Sequence, residues 1–149
     1  MLESISAIFG KEAEILLSVL LAIVLGALVG LERELHKRPA GLRTHILVCV
    51  GATLFTFASI NFLGAGDNSR IAAGIVTGIG FLGAGIIFRS ENHIEGVTTA
   101  AEVWVLSAIG LLIGIKFYFT AILSTFLILI VMILGRRTKK LLKYHEEGD

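Results

Sequence analysis

The stretch RIAAGIVTGIGFLGAGIIFR, residues 70–89, places eighteen uncharged and mostly apolar residues between two arginines. A helix rises about 1.5 Å per residue, so the segment reaches about 27 Å, close to the ~30 Å hydrocarbon core of a bilayer. Backbone polar groups in lipid must be satisfied within their own segment. Residues 71–88 are therefore predicted to form a membrane-spanning helix.

The rest of the chain repeats the pattern. AEILLSVLLAIVLGALVGL at 13–31 and THILVCVGATLFTFASINFL at 44–63 are each long enough to cross. The run 97–135 carries only two charges, Glu102 and Lys116. It is too long for one span and fits two, 97–115 and 117–135, split at Lys116. The reading is an all-α polytopic membrane protein of five transmembrane helices, one domain over residues 1–149, with a short tail at 136–149. Composition agrees: 55% of residues are hydrophobic and 17% charged, against about 25% charged in soluble domains. MLESISAIFG at the start lacks the positive region and cleavage pattern of a secretory leader, so the first span is expected to be retained as an anchor. The single cysteine, Cys49, excludes an internal disulfide or a CxxC motif.

Short-loop lysines and arginines set orientation. The N-terminus, loop 64–70 and the turn at 116 share Lys11, Arg70 and Lys116, three in all, whereas the opposite side carries ten. The ten are Arg33, Lys37, Arg38, Arg43, Arg89, Arg136, Arg137, Lys139, Lys140 and Lys143. The N-terminus is thus predicted outside and the C-terminus in the cytoplasm. Phe117, Tyr118 and Phe119 fall at the outer turn, where aromatic rings favour the interface. The basic tail attracts anionic headgroups.

Helix association in lipid depends on close approach of small residues. Gly26 and Gly30 form GxxxG on the first span, and Gly110 and Gly114 on the fourth. The third span has two glycine stripes, Gly74, Gly78 and Gly85, and Gly80 with Gly83. It is expected to lie at the centre of the bundle, with the bulky fifth span at the periphery.

Five spans bring the inner ends of the first four together. The polar residues expected there are Glu32, Arg33, Arg43, Thr44, His45, Arg89, Thr98, Thr99 and Glu102. Glu102 lies several residues inside its span, where a charge costs about 2.5–3.5 kcal/mol at the helix centre. It should be neutral, or pair with Arg33, Arg43 or Arg89, since an arginine fork grips a carboxylate well. Such a cluster either locks the helices or forms a vestibule for a ligand, ion or partner. On the outer side Asp67 stands before the third span, as a helix cap or a cation ligand, near Arg70.

Several chemistries are disfavoured. A divalent-cation cage needs several oxygen ligands, and Glu102 is the lone acid well inside the spans, Glu14 standing at the edge of the first. The four histidines lack zinc-ligand spacing. GIGFLGAG sits inside an apolar span with no following lysine, unlike a phosphate loop. No nucleophile–base pair is visible. No enzyme activity, metal, cofactor or nucleic-acid partner is expected. The expected partners are the lipid bilayer, other membrane proteins and further copies of the chain in a homodimer or higher oligomer.

GLERE at 30–34, PAGLRTH at 39–45, DNSRIAAG at 67–74, GIGFLGAGIIFR at 78–89 and GVTTAAEVWV at 96–105 occur in one order and spacing. In this the chain resembles the MgtC/SapB membrane protein family over about residues 13–135. The resemblance implies a bacterial inner-membrane protein with an outside N-terminus, associated with adaptation to low magnesium, acid tolerance and survival inside macrophages. Some members act by binding other membrane proteins, ATP synthase among them. It also implies roles for Glu32, Arg33, Arg43, Thr44, His45, Asp67, Arg70, Arg89, Thr98 and Thr99; Glu102 is added on physical grounds. Two departures stand out. Virulence-associated members carry a soluble domain after the fifth span, whereas here about 14 residues follow, and the family's usual Gln is Gly74. The expectation is a non-enzymatic modulator of other membrane proteins. The alternative is a transporter or channel for a small ion passing the third span and Glu102.

Overall fold

The computed structural model describes residues 2–61, 69–89 and 93–146, with side chains over 10–61, 69–89 and 93–136. Five helices dominate: α1 (Leu2–Leu35), α2 (Leu42–Asn61), α3 (Ser69–Ile86), α4 (Val97–Gly114) and α5 (Tyr118–Glu146). Each contains a stretch long and apolar enough to cross a membrane, from Gly10–Leu35 in α1 to Tyr118–Arg136 in α5. Both outer helices exceed the predicted spans. α1 runs four residues past position 31, so Glu32 and Arg33 are helical, and α5 continues through the basic tail.

Two of the helix ends share one device. At the end of α1 the Arg38 N–H donates to Arg33 O (3.1 Å) and Lys37 N–H to Glu34 O (3.0 Å). At the end of α4 Phe117 N–H donates to Leu112 O (2.8 Å) and Lys116 N–H to Ile113 O (2.9 Å). These are Schellman closures, and the left-handed residue in each is a lysine, Lys37 at φ 52° and Lys116 at φ 67°. Lys116 therefore makes the turn between the last two spans, as its charge had indicated. Between α3 and α4 a two-residue hairpin pairs β1 (Phe88–Arg89) with β2 (Ile94–Glu95), antiparallel with Phe88 opposite Glu95. The sequence reading held only a loop there. Gly96 follows at φ 85° and begins α4, where an added Cβ would strike the Ile86 carbonyl.

The centre of the bundle is α4, which buries ten residues including Val103, Leu106, Ile109 and Ile113. α3 buries only Ile79 and Gly83, which corrects the expectation of a central third span. Gly74, Gly78, Gly80 and Gly85 have no neighbour within 4 Å of where a Cβ would stand, so they do not serve packing within this chain. Gly83 meets Ala100 at 3.7 Å. The other glycine pairs behave as read. A Cβ on Gly26 or Gly30 would lie 2.9 Å from Ile46 Cα or 2.8 Å from Leu42 Cα. One on Gly110 or Gly114 would lie 2.5 Å from Cys49 O or Thr56 Cβ. These glycines let α1 close onto the Leu42–Cys49 half of α2 and α4 onto its Cys49–Thr56 half, along one face of that helix. The fifth span is peripheral, with long exposed apolar side chains such as Leu127 and Val131.

Candidate functional site: an ionic centre at one end of the bundle

The buried face of α1 recurs at Ala22, Leu25 and Val29, and one further turn brings Arg33 onto it. Arg33 is 3% exposed. Its Nη1 donates to Glu102 Oε1 at 2.8 Å, and its Nε donates to Glu32. Glu102 lies on the buried face of α4 with Thr99, Val103 and Leu106. From α5, Arg136 closes on the Glu32 carboxylate. Two arginines thus meet two carboxylates, drawn from three helices, with no net charge. A buried charge is costly unless it is paired and hydrogen-bonded, and that cost selects this neutral tetrad. His36 joins its rim: Nδ1 lies 2.6 Å from the Glu32 carbonyl, and Nε2 contacts Arg136 Nη1.

Of the residues read from sequence, Glu32, Arg33 and Glu102 come together here. His45 is fully buried nearby, where its Cβ lies 2.9 Å from the position of a Cβ on Gly30, and its Nδ1 is 2.9 Å from Gly41 O. Thr99 is buried one turn before Glu102. Four others do not join. Arg43 and Thr44 are exposed and line a groove between α2 and α3. Their position is two and one residues before His45, which turns them off the buried face of α2. Arg89 is exposed on β1, and Thr98 is exposed at the start of α4. Arg70 lies at the far end of the α2–α3 groove, and Asp67 is outside the described residues.

Sequence reasoning missed Arg136, which it assigned to topology alone. A signal exists: Ala121, Thr125 and Met132 are the buried positions among the described side chains of α5 before Arg136, and Arg136 follows Met132 by one turn. It also missed the Glu34 carboxylate, which accepts the Leu42 N–H at 2.9 Å and caps α2. At the opposite end of the bundle Lys116 pairs with Glu14 at 2.7 Å, and Ser18 shares a hydrogen bond with Tyr118 at 3.1 Å. Among the described residues no three His, Cys, Asp or Glu side chains gather as a metal-ligating group.

The fold and this site define a polytopic helical membrane protein whose first, fourth and fifth spans are joined by a buried ionic centre near one face. Residues 19–141 match the MgtC family. Protein MgtC of Salmonella typhimurium (strain LT2) is 45% identical over 121 residues, covering 81% of this chain and 52% of that protein. Protein MgtC of Brucella abortus is 45% identical over 125 residues, covering 83% and 52%. YhiD of Escherichia coli K12 is 40% identical over 129 residues, covering 80% and 60%. The chain belongs to the MgtC family. It spans about half the length of the curated MgtC proteins it matches, 52% in both of these. No solved structure matches it.

Proposed function

We propose that this is a non-enzymatic protein of the bacterial inner membrane that modulates other membrane proteins during low-magnesium or acid stress. The observation that carries the reading is that its deepest charges are spent on one another. Arg33 holds Glu102 and Glu32, and Arg136 holds Glu32, so the carboxylates act as a clasp between helices. A solute path needs polar atoms through the middle of the membrane, and along α3 residues 75–86 supply only Thr77. What α3 does present is an exposed small-residue stripe, Ala73, Thr77, Gly80 and Ala84, suited to close approach by another helix.

A second reading is magnesium transport, favoured by the provisional designation of the YhiD relative as a magnesium transporter. The two separate in one experiment. The purified chain in liposomes is assayed for Mg²⁺, K⁺ and H⁺ flux, and a photocrosslinker at Thr77 is used in native membranes. The modulator reading expects no flux above protein-free vesicles, and a membrane-protein adduct that Gly80→Leu abolishes. Mg²⁺ flux that disappears in Glu102→Gln would overturn it.

A further inference from the structure

On the flank of α3 away from that stripe lies a groove of about 660 Å³ between α2 and α3. That volume is within the ~300–1,000 Å³ typical of small-ligand sites. Its walls are apolar side chains and bare glycine backbone. Gly51, Gly74 and Gly78 all face open space there. The hydroxyl at its floor, Ser107, is already engaged, donating to Trp104 O at 2.7 Å. Polarity is confined to the rims. α2 and α3 each carry an arginine in their first turn, Arg43 and Arg70. Because consecutive spans run in opposite directions, these cations sit at opposite membrane faces. Twelve residues separate Arg43 from Phe55, the last lining residue of α2, a reach of about 18 Å. Thr44 adds a hydroxyl beside Arg43. Neither arginine has a carboxylate partner among the described residues.

We infer that this groove is a binding site for an anionic phospholipid, with the phosphate on Arg43 and Thr44 and one acyl chain along Gly51 and Gly78. Charge complementarity selects this occupant. A guanidinium and a hydroxyl at headgroup depth, above an apolar trough, match a phosphate above a hydrocarbon tail. A second copy of the chain docked here would bring its own arginines to these rims, where like charges oppose association. A foreign helix would have to supply an acid at headgroup level to do what the phosphate does.

Native mass spectrometry of the full chain, released from nanodiscs containing phosphatidylglycerol or phosphatidylcholine with the same tails, tests this. The expected result is a retained phosphatidylglycerol adduct, weakened about tenfold by Arg43→Gln, the loss of one charge-assisted contact. Gly78→Leu places a side chain in the trough from a Cβ position with no neighbour within 4 Å and should abolish retention while the circular dichroism spectrum stays helical. Equal retention of both lipids, or an adduct unchanged in Arg43→Gln, would overturn the inference. So would a lipid-free dimer crosslinked through Leu47 or Gly78. None of these outcomes bears on flux or on the Thr77 adduct.

Discussion

Replacing Arg33 with methionine removes the cation that Glu102 faces at 2.8 Å, in a pair whose side chains are 4% and 6% exposed. Deleting one member of a buried pair costs about 3–5 kcal/mol, because the other charge is stranded. Position moves the value here downward. Glu102 is five residues into α4, about 7.5 Å along its axis, shallower than the helix centre where a charge costs about 2.5–3.5 kcal/mol. We expect Arg33→Met to destabilise by about 2–3 kcal/mol. Glu102→Leu should cost about 1–2 kcal/mol, since Arg33 keeps Glu32. Each single variant leaves the tetrad with one net charge. The double variant leaves Glu32 with Arg136, a neutral pair, so it should be more stable than the sum of the singles by about 1–2 kcal/mol. Unfolding in mixed micelles by titration with a denaturing detergent, followed by Trp104 fluorescence and circular dichroism, gives the cycle. Trp104 is the chain's single tryptophan and lies two residues from Glu102. Additivity within about 0.5 kcal/mol would refute the claim that these charges are coupled.

Glycine position makes a contrasting pair. Gly110→Ala would press a methyl to 2.5 Å from Cys49 O and should cost about 1–3 kcal/mol, whereas Gly78→Ala meets nothing and should stabilise by up to about 1 kcal/mol; thermal unfolding in detergent separates them. Lys37→Gly relieves a left-handed residue at φ 52° and should raise stability by about 1 kcal/mol in the same assay. Lys116→Cys should react with a membrane-impermeant maleimide in whole cells, as the charge count requires, while the fully buried Cys49 stays unlabelled. Labelling of position 116 only after permeabilisation would invert the topology.

The five helices were legible because lipid enforces a length and a composition, and both are written in the residues. Packing order was less so. Glycine density pointed to α3 as the centre, yet small residues report only that a close approach is sterically allowed, not that this chain makes it. The better indicator was polarity within a span. α4 carries Thr99, Glu102 and Ser107, all buried, and α2 carries His45, Thr53 and Thr56, all buried. Side chains that lipid cannot solvate must turn inward. Thr53 illustrates this, donating to Cys49 O at 2.9 Å and to Gly110 O of α4 at 3.1 Å. α3 has almost no such groups and lies outside. The choice among Arg33, Arg43 and Arg89 was likewise decided by helical phase. Arg33 continues the buried stripe of α1, Arg43 falls off that of α2, and Arg89 sits beyond α3 in a hairpin that two-residue strands leave almost no pattern to reveal.

Pairing Arg33 with Glu102 also has a bearing on biogenesis. α4 contains no lysine or arginine between Val97 and Gly114, so its carboxylate has no cation of its own on entering the bilayer. α1 meets no such difficulty, because Glu32 and Arg33 are adjacent and cancel. Arg33 precedes Glu102 by 69 residues, so synthesis from the N-terminus delivers the cation to the membrane first. Insertion in sequence order would then bring α4 to a bilayer that already holds its cation.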